Sequence, residues 1–343
     1  MRPAAGSGAG RLARWRWPAW LDSFLLGILA VLLLAFLTPE WGGSQGHLGL
    51  GSYTSLGIVL VFALHGAQVS RERLRHGSRN FRLHALVQGA TYLGFPALGL
   101  IGYLLLGPFV APPLALGFFY LCAIPSTIAT SVTLVGIARG NVPAAIFNAT
   151  LSGLLGIAIT PLLVSLVAAT SGLHLPWLEA MRSLFLTVLL PFGIGHLLQP
   201  WLQPRLQAIP RWTRALERGA ILLVVYVAFC DAVATDALHQ VSAGALLLVT
   251  VSALVLLGMM LLGLRDVARR LGLPPEDEIT LLLCGSQKSL ANGMPMAKAL
   301  FGAYPALGLL VVPMLAFHQA QLLAGAILAQ RYAARSATRQ TAP

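Results

Sequence analysis

Residues 284–295 read Cys284-Gly-Ser-Gln-Lys-Ser-Leu-Ala-Asn-Gly-Met-Pro295 and lie inside an apolar run that extends from 278 to 301. The run is long enough for a membrane helix, which needs about 20 mostly apolar residues. Its centre carries four consecutive polar side chains, Ser286, Gln287, Lys288 and Ser289, with Asn292 one turn on. Such a cluster destabilises an idle helix in lipid by several kcal/mol. Backbone groups freed by a break at that depth persist only inside protein or beside a watery cavity. The stretch therefore reads as an interrupted membrane helix built around a functional site. Lys288 is about ten residues from either end of the run, too deep for easy snorkelling. Ionised, it needs a partner or water; the alternative is a neutral amine that takes up and releases a proton.

The rest of the chain agrees with a membrane setting. Of its 343 residues, 57% are hydrophobic and 10% are charged, where a soluble domain has roughly one charged residue in four. So few charges could not cover a water-soluble fold of this size. A soluble enzyme, a nucleic-acid binder and a disordered chain are all disfavoured. Ten candidate spans follow at 18–38, 49–69, 83–106, 114–138, 142–169, 178–198, 214–235, 242–264, 278–301 and 304–330. Runs such as Leu254-Val-Leu-Leu-Gly-Met-Met-Leu-Leu do not alternate as the strands of a β-barrel would. The first span is too long for a signal-peptide core, and no cleavage site follows it.

Lys and Arg set the orientation. The tail with Arg2, Arg11, Arg14 and Arg16, the loop with Arg71, Arg73, Arg75, Arg79 and Arg82, and the later loops and tail on the same side hold 20 of the 23 basic residues. The opposite loops hold only Arg182, and Lys288 and Lys298 lie within the ninth span. Both termini are thus expected in the cytoplasm. The net charge of +12 becomes a matter of topology, with anionic lipid as the partner rather than nucleic acid.

Ten spans divide into two fives, and a second copy of an odd unit inserts upside down, the mark of many secondary transporters. The fourth span, Cys122-Ala-Ile-Pro-Ser-Thr-Ile-Ala-Thr-Ser-Val-Thr, matches the ninth in placing small hydroxylated residues and a proline midway. A single Ser or Thr in a membrane helix more often bonds its own backbone; the weight is on the clusters. The candidate solute- and ion-binding residues are Ser126, Thr127, Thr130 and Ser131 of span four, Asn148 of span five, Ser286, Gln287, Lys288, Ser289 and Asn292 of span nine, and His318 and Gln319 of span ten. Pro96 reads as a simple kink. His65 and His196 read chiefly as structural hydrogen bonders. Asp22 and Asp231 lie inside spans near their ends, and no acid lies midway along any span, so a mid-membrane carboxylate relay has no candidates. Cys122, Cys230 and Cys284 have no metal-ligand spacing and suggest no disulfide. Ser286 or Ser289 with Lys288 is the one nucleophile–base arrangement available to an intramembrane enzyme. Residues one or two apart do not face each other on a helix, so a dyad needs the break to bring them together.

Ala138-Arg-Gly-Asn-Val after span four resembles the loop between the fourth and fifth helices of the bile acid:sodium symporter superfamily. Pro313-x4-His318-Gln319-x-Gln321 resembles the start of its tenth helix. Cys284-Gly-Ser-Gln-Lys-Ser-Leu-Ala looks most like the branch of bacterial proteins and the seventh member of the vertebrate solute carrier family 10. The resemblance implies ten helices in two inverted repeats, with spans one, two, six and seven as a panel, the others as a core, and broken helices four and nine crossing at the centre. It also implies sodium sites built from hydroxyls and an Asn on helices four and five and a Glu and a Gln on helix nine. Carried over by position, these ligands fall on Thr130, Ser131, Ala145, Ala149, Leu283 and Gln287, with Asn148 adjacent. A sodium could thus sit at Thr130, Ser131, Asn148 and Gln287, yet the carboxylate is missing and the Lys288 cation stands beside Gln287. Repulsion between two unit charges a few ångströms apart is several kcal/mol at an effective dielectric of about 20.

The expected organisation is a basic tail at 1–17, five-helix repeats at 18–170 and 177–331, and a second tail at 332–343. The expected function is alternating-access transport of a small, anionic organic solute across a bacterial inner membrane. Sodium or a proton would couple it, with no cofactor, and the chain would be a monomer or a homodimer. The alternatives are the serine–lysine enzyme and a non-transporting regulatory membrane protein. No P-loop is present, so ATP does not drive this chain alone.

Overall fold

The computed structural model describes residues 23–68, 80–170, 177–235, 241–302, 304 and 306–341. The tail at 1–17, Asp22, and Arg71, Arg73, Arg75 and Arg79 lie outside the described residues. Among the described residues every regular element is a helix. In chain order these are α1 (Ser23–Leu37), α2 (Pro39–Gly42), α3 (Leu50–Gln68), α4 (Phe81–Leu106), α5 (Pro112–Ala123), α6 (Ala129–Ile137) and α7 (Val142–Thr170). Then follow α8 (177–197), α9 (Gln199–Ala208), α10 (Pro210–Ala234), α11 (Ala243–Arg270), α12 (Pro275–Gly285), α13 (Leu290–Phe301) and α14 (Leu307–Thr341).

Five of these helices are long and apolar enough to cross a membrane, or six when the pair α8 and α9, bent by 90°, is taken together. Their outer faces carry Leu93, Leu104, Leu166 and Leu262, each more than half exposed. The interior instead holds Lys288, Gln287, Ser131, Asn148 and Ser152. That inversion of the soluble pattern suits a surround of lipid, and the chain is a multi-pass membrane protein.

Two packed groups can be distinguished. In the first, α3 packs on α8, and α10 packs on α1 and α3. Gly66 and Gly195 set the α3–α8 distance: a Cβ at Gly66 would stand 2.0 Å from the Phe192 carbonyl oxygen, and one at Gly195 would stand 1.9 Å from that of Ala63. Only glycine permits this approach, and such close backbone packing replaces the hydrophobic drive that lipid removes. In the second group, α5 packs on α4, α7 and α14, while α12 packs on α11, α4 and α7. α13 joins the groups by contacting α8 and α10 as well as α14.

One end of the second group is fastened by a carboxylate. Asp277 of α12 accepts from Asn80 Nδ2 at 2.6 Å and from Asn141 Nδ2 at 2.9 Å. The same two asparagines cap α4 and α7 by accepting from the Leu83 and Ala144 amides. Three helix N-termini, each with positive dipole and spare N–H groups, thus converge on one acid.

Two long helices contain a π-turn, at Ala90–Gly94 in α4 and at Phe185–Leu189 in α8. Each is followed within two residues by a proline, Pro96 or Pro191. A proline lacks the N–H of the regular ladder and crowds the turn before it, and the wider π-turn accommodates both.

Candidate functional site

The chain is interrupted twice in its apolar interior, at 124–128 between α5 and α6 and at 286–289 between α12 and α13. Pro125 removes one donor at the first break. Gly285 and a polar run mark the second. Every interruption leaves carbonyls without intrahelical partners, and in this interior each must be met by protein.

The two breaks meet those needs together. At the end of α5, the Cys122 and Ile124 carbonyls each accept from Lys288 Nζ at 2.8 Å. The Ala123 carbonyl accepts from Thr160 Oγ1 at 2.8 Å, and that of Pro125 from the Ser289 amide at 2.8 Å. In return, Ser126 Oγ donates to the Cys284 carbonyl at 2.6 Å, and the Ser126 amide donates to Ser152 Oγ at 2.9 Å. Ser289 Oγ caps α13 by accepting from the Asn292 amide at 3.1 Å.

The third acceptor for Lys288 comes from the π-turn in α4. There Phe95 donates to the Ala90 carbonyl. In that register the next donor, Pro96, would serve Thr91, but it has no N–H. The Thr91 carbonyl is therefore free to accept from Lys288 Nζ, at 3.0 Å. Pro96, expected as a mere kink, thereby shapes the site. The Phe95 ring faces the same Nζ with its centroid 4.3 Å away. An ammonium carries three N–H donors and no acceptor, and three carbonyls converge on this one, two of them at the negative end of α5. Lys288 is 1% exposed, and no acid shares its hydrogen bonds.

Gln321 fixes the lysine backbone from α14. Its Oε1 accepts from the Lys288 amide at 2.7 Å, and its Nε2 donates to the Lys288 carbonyl at 2.8 Å and lies 2.9 Å from His318 Nδ1. Gln321 belongs to the motif Pro313-x4-His318-Gln319-x-Gln321 but lies outside the expected site residues. Its spacing, three residues after His318 on one helix face, is the signal that could have added it.

The expected residues separate by role. Ser126, Lys288 and Ser289 build the crossing, and Ser131 Oγ donates to Gln287 Oε1 at 3.3 Å beside it. Thr127 is buried in the first break. Ser286 Oγ bonds back to the Leu282 carbonyl at 2.6 Å. Asn148 turns toward α4, where Gln88 Nε2 donates to its Oδ1 at 3.2 Å, so it does not join Ser131 and Gln287. Half-buried Thr130 and Gln319 make none of these bonds. The four expected sodium ligands are thus brought together only as the pair Ser131 and Gln287. No serine–lysine dyad forms, because the Ser286 hydroxyl, the Ser289 hydroxyl and Lys288 Nζ are each engaged elsewhere.

Beside the crossing lies a small cavity of about 20 Å³, lined by His65, Thr150, Asn292 and apolar side chains that include Ile128 of the first break. It shares Leu154 and Ile157 with an apolar groove of about 460 Å³ between α7 and α8.

Comparison with known proteins gives a consistent result. The family described as the SBF-like CPA transporter family matches residues 22–334. An uncharacterized protein of Pseudomonas aeruginosa, PA2026, is 44% identical over 92% of this chain and 93% of its own length. The Escherichia coli protein named "Putative symporter YfeH" is 40% identical over 91% of this chain and 93% of its own. Sodium/bile acid cotransporter 7 of Xenopus tropicalis is 30% identical over 89% of this chain and 90% of its own.

Proposed function

The chain belongs to the SBF-like CPA transporter family, and from that premise we propose that it is a secondary transporter of a small organic anion, working by alternating access. It is a transporter by family rather than an enzyme. In this reading α5 with α6 and α12 with α13 each serve as one broken span. With the long helices and the shorter α1 they make ten spans in two inverted halves. The first packed group is the panel and the second the core, and both termini face the cytoplasm of a bacterial cell.

The observation that carries the proposal is the meeting of the two breaks around the Lys288 ammonium. Irregular backbone deep in a membrane needs a cavity or protein around it, and broken helices that meet are the usual frame of a transporter's site. The fixed ammonium supplies positive charge where the related symporters are expected to take up sodium. We infer that this transporter does not require sodium. A solute anion is drawn to the crossing by the same charge. Asn292 offers a hydrogen-bonding side chain at the cavity wall, and the buried Ser131–Gln287 pair offers others at the crossing.

The test is a thermal-shift screen of the purified protein against organic anions, bile acids included, in sodium chloride and in N-methylglucamine chloride. Hits are then assayed for uptake into proteoliposomes. Stabilisation and uptake are expected to be the same in both salts. Uptake that vanishes without sodium overturns the fixed-charge reading, and a chain that moves no solute that stabilises it overturns transport.

A further inference from the structure

We infer that the elbow formed by α9 and the start of α10 is a binding surface for anionic phospholipid of the adjoining leaflet. The inference rests on the reading above only in that α8 crosses the bilayer.

α9 turns 90° from α8, so it follows a crossing helix and lies along the membrane surface. Gln199, Leu202, Gln203 and Leu206 are half-buried, and α9 packs on α3. Their spacing of three and four residues puts them on one side of the helix. Trp201, Pro204, Arg205 and Ala208 take the other side and are exposed. Trp201 is 65% exposed, and Trp212, at the start of α10, is 75% exposed. Water is a poor surround for two indoles, whereas the headgroup level of a bilayer suits an apolar ring with one polar N–H.

The charge on this face has one sign. Residues 180–216 contain no acid, and the elbow carries Arg205, Arg211 and Arg214, all exposed. Glu217, the next acid along the chain, is turned inward. It accepts from Gln68 Nε2 of α3 at 3.1 Å and lies 3.7 Å from His65 Nε2. Arg205 gives one of its five N–H donors to the Trp201 carbonyl, at 3.1 Å, which places the guanidinium over the same turn as the ring. That planar fork matches the geometry of a phosphate. Residues 1–22 and 69–79, outside the described residues, together carry eight arginines and two acids. Like charge disfavours their covering the face, so the complementary partner is anionic. A free anion has no apolar part to meet the indoles; a phospholipid has both. Because α9 joins α8 to α10, lipid held here fixes the first packed group in the leaflet.

The test uses the full chain in nanodiscs of phosphatidylcholine, alone or mixed with phosphatidylglycerol. Phosphatidylglycerol is expected to raise the melting temperature, and less so at high salt. Each arginine near a charged surface strengthens binding about fivefold. Arg205→Gln, Arg211→Gln and Arg214→Gln together should therefore weaken it about a hundredfold and abolish the shift. Arg269→Gln, Arg331→Gln and Arg335→Gln remove the same charge from exposed positions of the second packed group and should keep the shift. A parent protein that melts alike in both discs overturns the inference. Equal loss in the two triple variants also overturns it, because general charge attraction then suffices. So does a shift that inorganic phosphate reproduces in phosphatidylcholine alone, since the ligand is then a free anion. If loss of the Arg205 bond lowers melting in phosphatidylcholine itself, Arg211→Gln with Arg214→Gln is compared with Arg269→Gln with Arg331→Gln, and the same outcomes decide. A chain that moves no solute leaves these melts unchanged, and an absent lipid effect leaves the transport reading standing.

Discussion

The Ser289 amide donates to the Pro125 carbonyl over 2.8 Å, joining the two interrupted helices through their main chains. The Ser126 hydroxyl returns the favour to the Cys284 carbonyl at 2.6 Å. Each break thus supplies a donor for a carbonyl that the other leaves free. Neither could stand alone in an apolar interior, which is why polarity and helix breakers occur at matching places in the two halves of the chain.

Ser126→Ala tests this reciprocity. It strands the Cys284 carbonyl, and an unsatisfied buried acceptor costs about 1–3 kcal/mol. A melting temperature lowered by several degrees is expected. Ser126→Thr keeps the hydroxyl and should recover most of the loss. Equal melting of Ser126→Ala and the parent protein would mean that the breaks do not depend on each other.

Gly195→Ala tests the packing of the first group. The added methyl would lie 1.9 Å from the Ala63 carbonyl oxygen, and backbone on both sides leaves nothing to rotate away. Overpacking of this kind costs about 1–3 kcal/mol or more. Gly193, one turn-fraction away, has nothing within 4 Å of an added Cβ, so Gly193→Ala should be tolerated. Equal expression and melting of the two variants would contradict the close α3–α8 approach.

Much of this was legible in the sequence, and the reasons for the rest are physical. The cluster 286–289 announced a break because polar residues in lipid need one. The hydropathy of the long helices marked the membrane setting. Partners across the fold were not legible. That Lys288 would find a third main-chain carbonyl depends on Pro96 sparing the Thr91 oxygen, a consequence of a π-turn that no spacing rule indicates. Asn148 looked like a site residue because it neighbours the break in sequence, yet helix rotation points it at Gln88. His65, alone on an apolar helix, gave no sign of Glu217, which is 152 residues away.

The orientation follows from the distribution of Arg and is open to a direct measurement. Gln45 and Gln207 are both exposed and lie at opposite ends of the charge pattern. Gln207 is on α9, beside Arg205 and the largely exposed Trp201 and Trp212, a composition suited to the inner lipid surface. With intact cells, an impermeant maleimide should label Gln45→Cys and spare Gln207→Cys. Inverted membrane vesicles should reverse the pattern. Labelling of Gln207→Cys from outside would turn the topology over.

The last prediction concerns the ammonium itself. Lys288→Ala leaves the Thr91, Cys122 and Ile124 carbonyls pointing into a space the size of the lost side chain. Each unsatisfied acceptor costs about 1–3 kcal/mol, so a strong destabilisation is expected. Three converging carbonyl oxygens, two of them at the negative end of α5, are, however, suitable ligands for a small cation. Sodium or propylammonium should therefore raise the melting temperature of Lys288→Ala. A cation present at 100 times its dissociation constant would contribute about 2.7 kcal/mol. The parent protein, whose site already holds its own cation, should melt identically in sodium and N-methylglucamine. Lys288→Arg is not a substitute, because a planar fork cannot aim three N–H groups at three converging oxygens as an ammonium does. It should melt lower than the parent protein and transport poorly. Sodium-dependent melting of the parent protein, together with Lys288→Ala melting that no cation changes, would show that the cradle is not a cation site and that Lys288 has some other role.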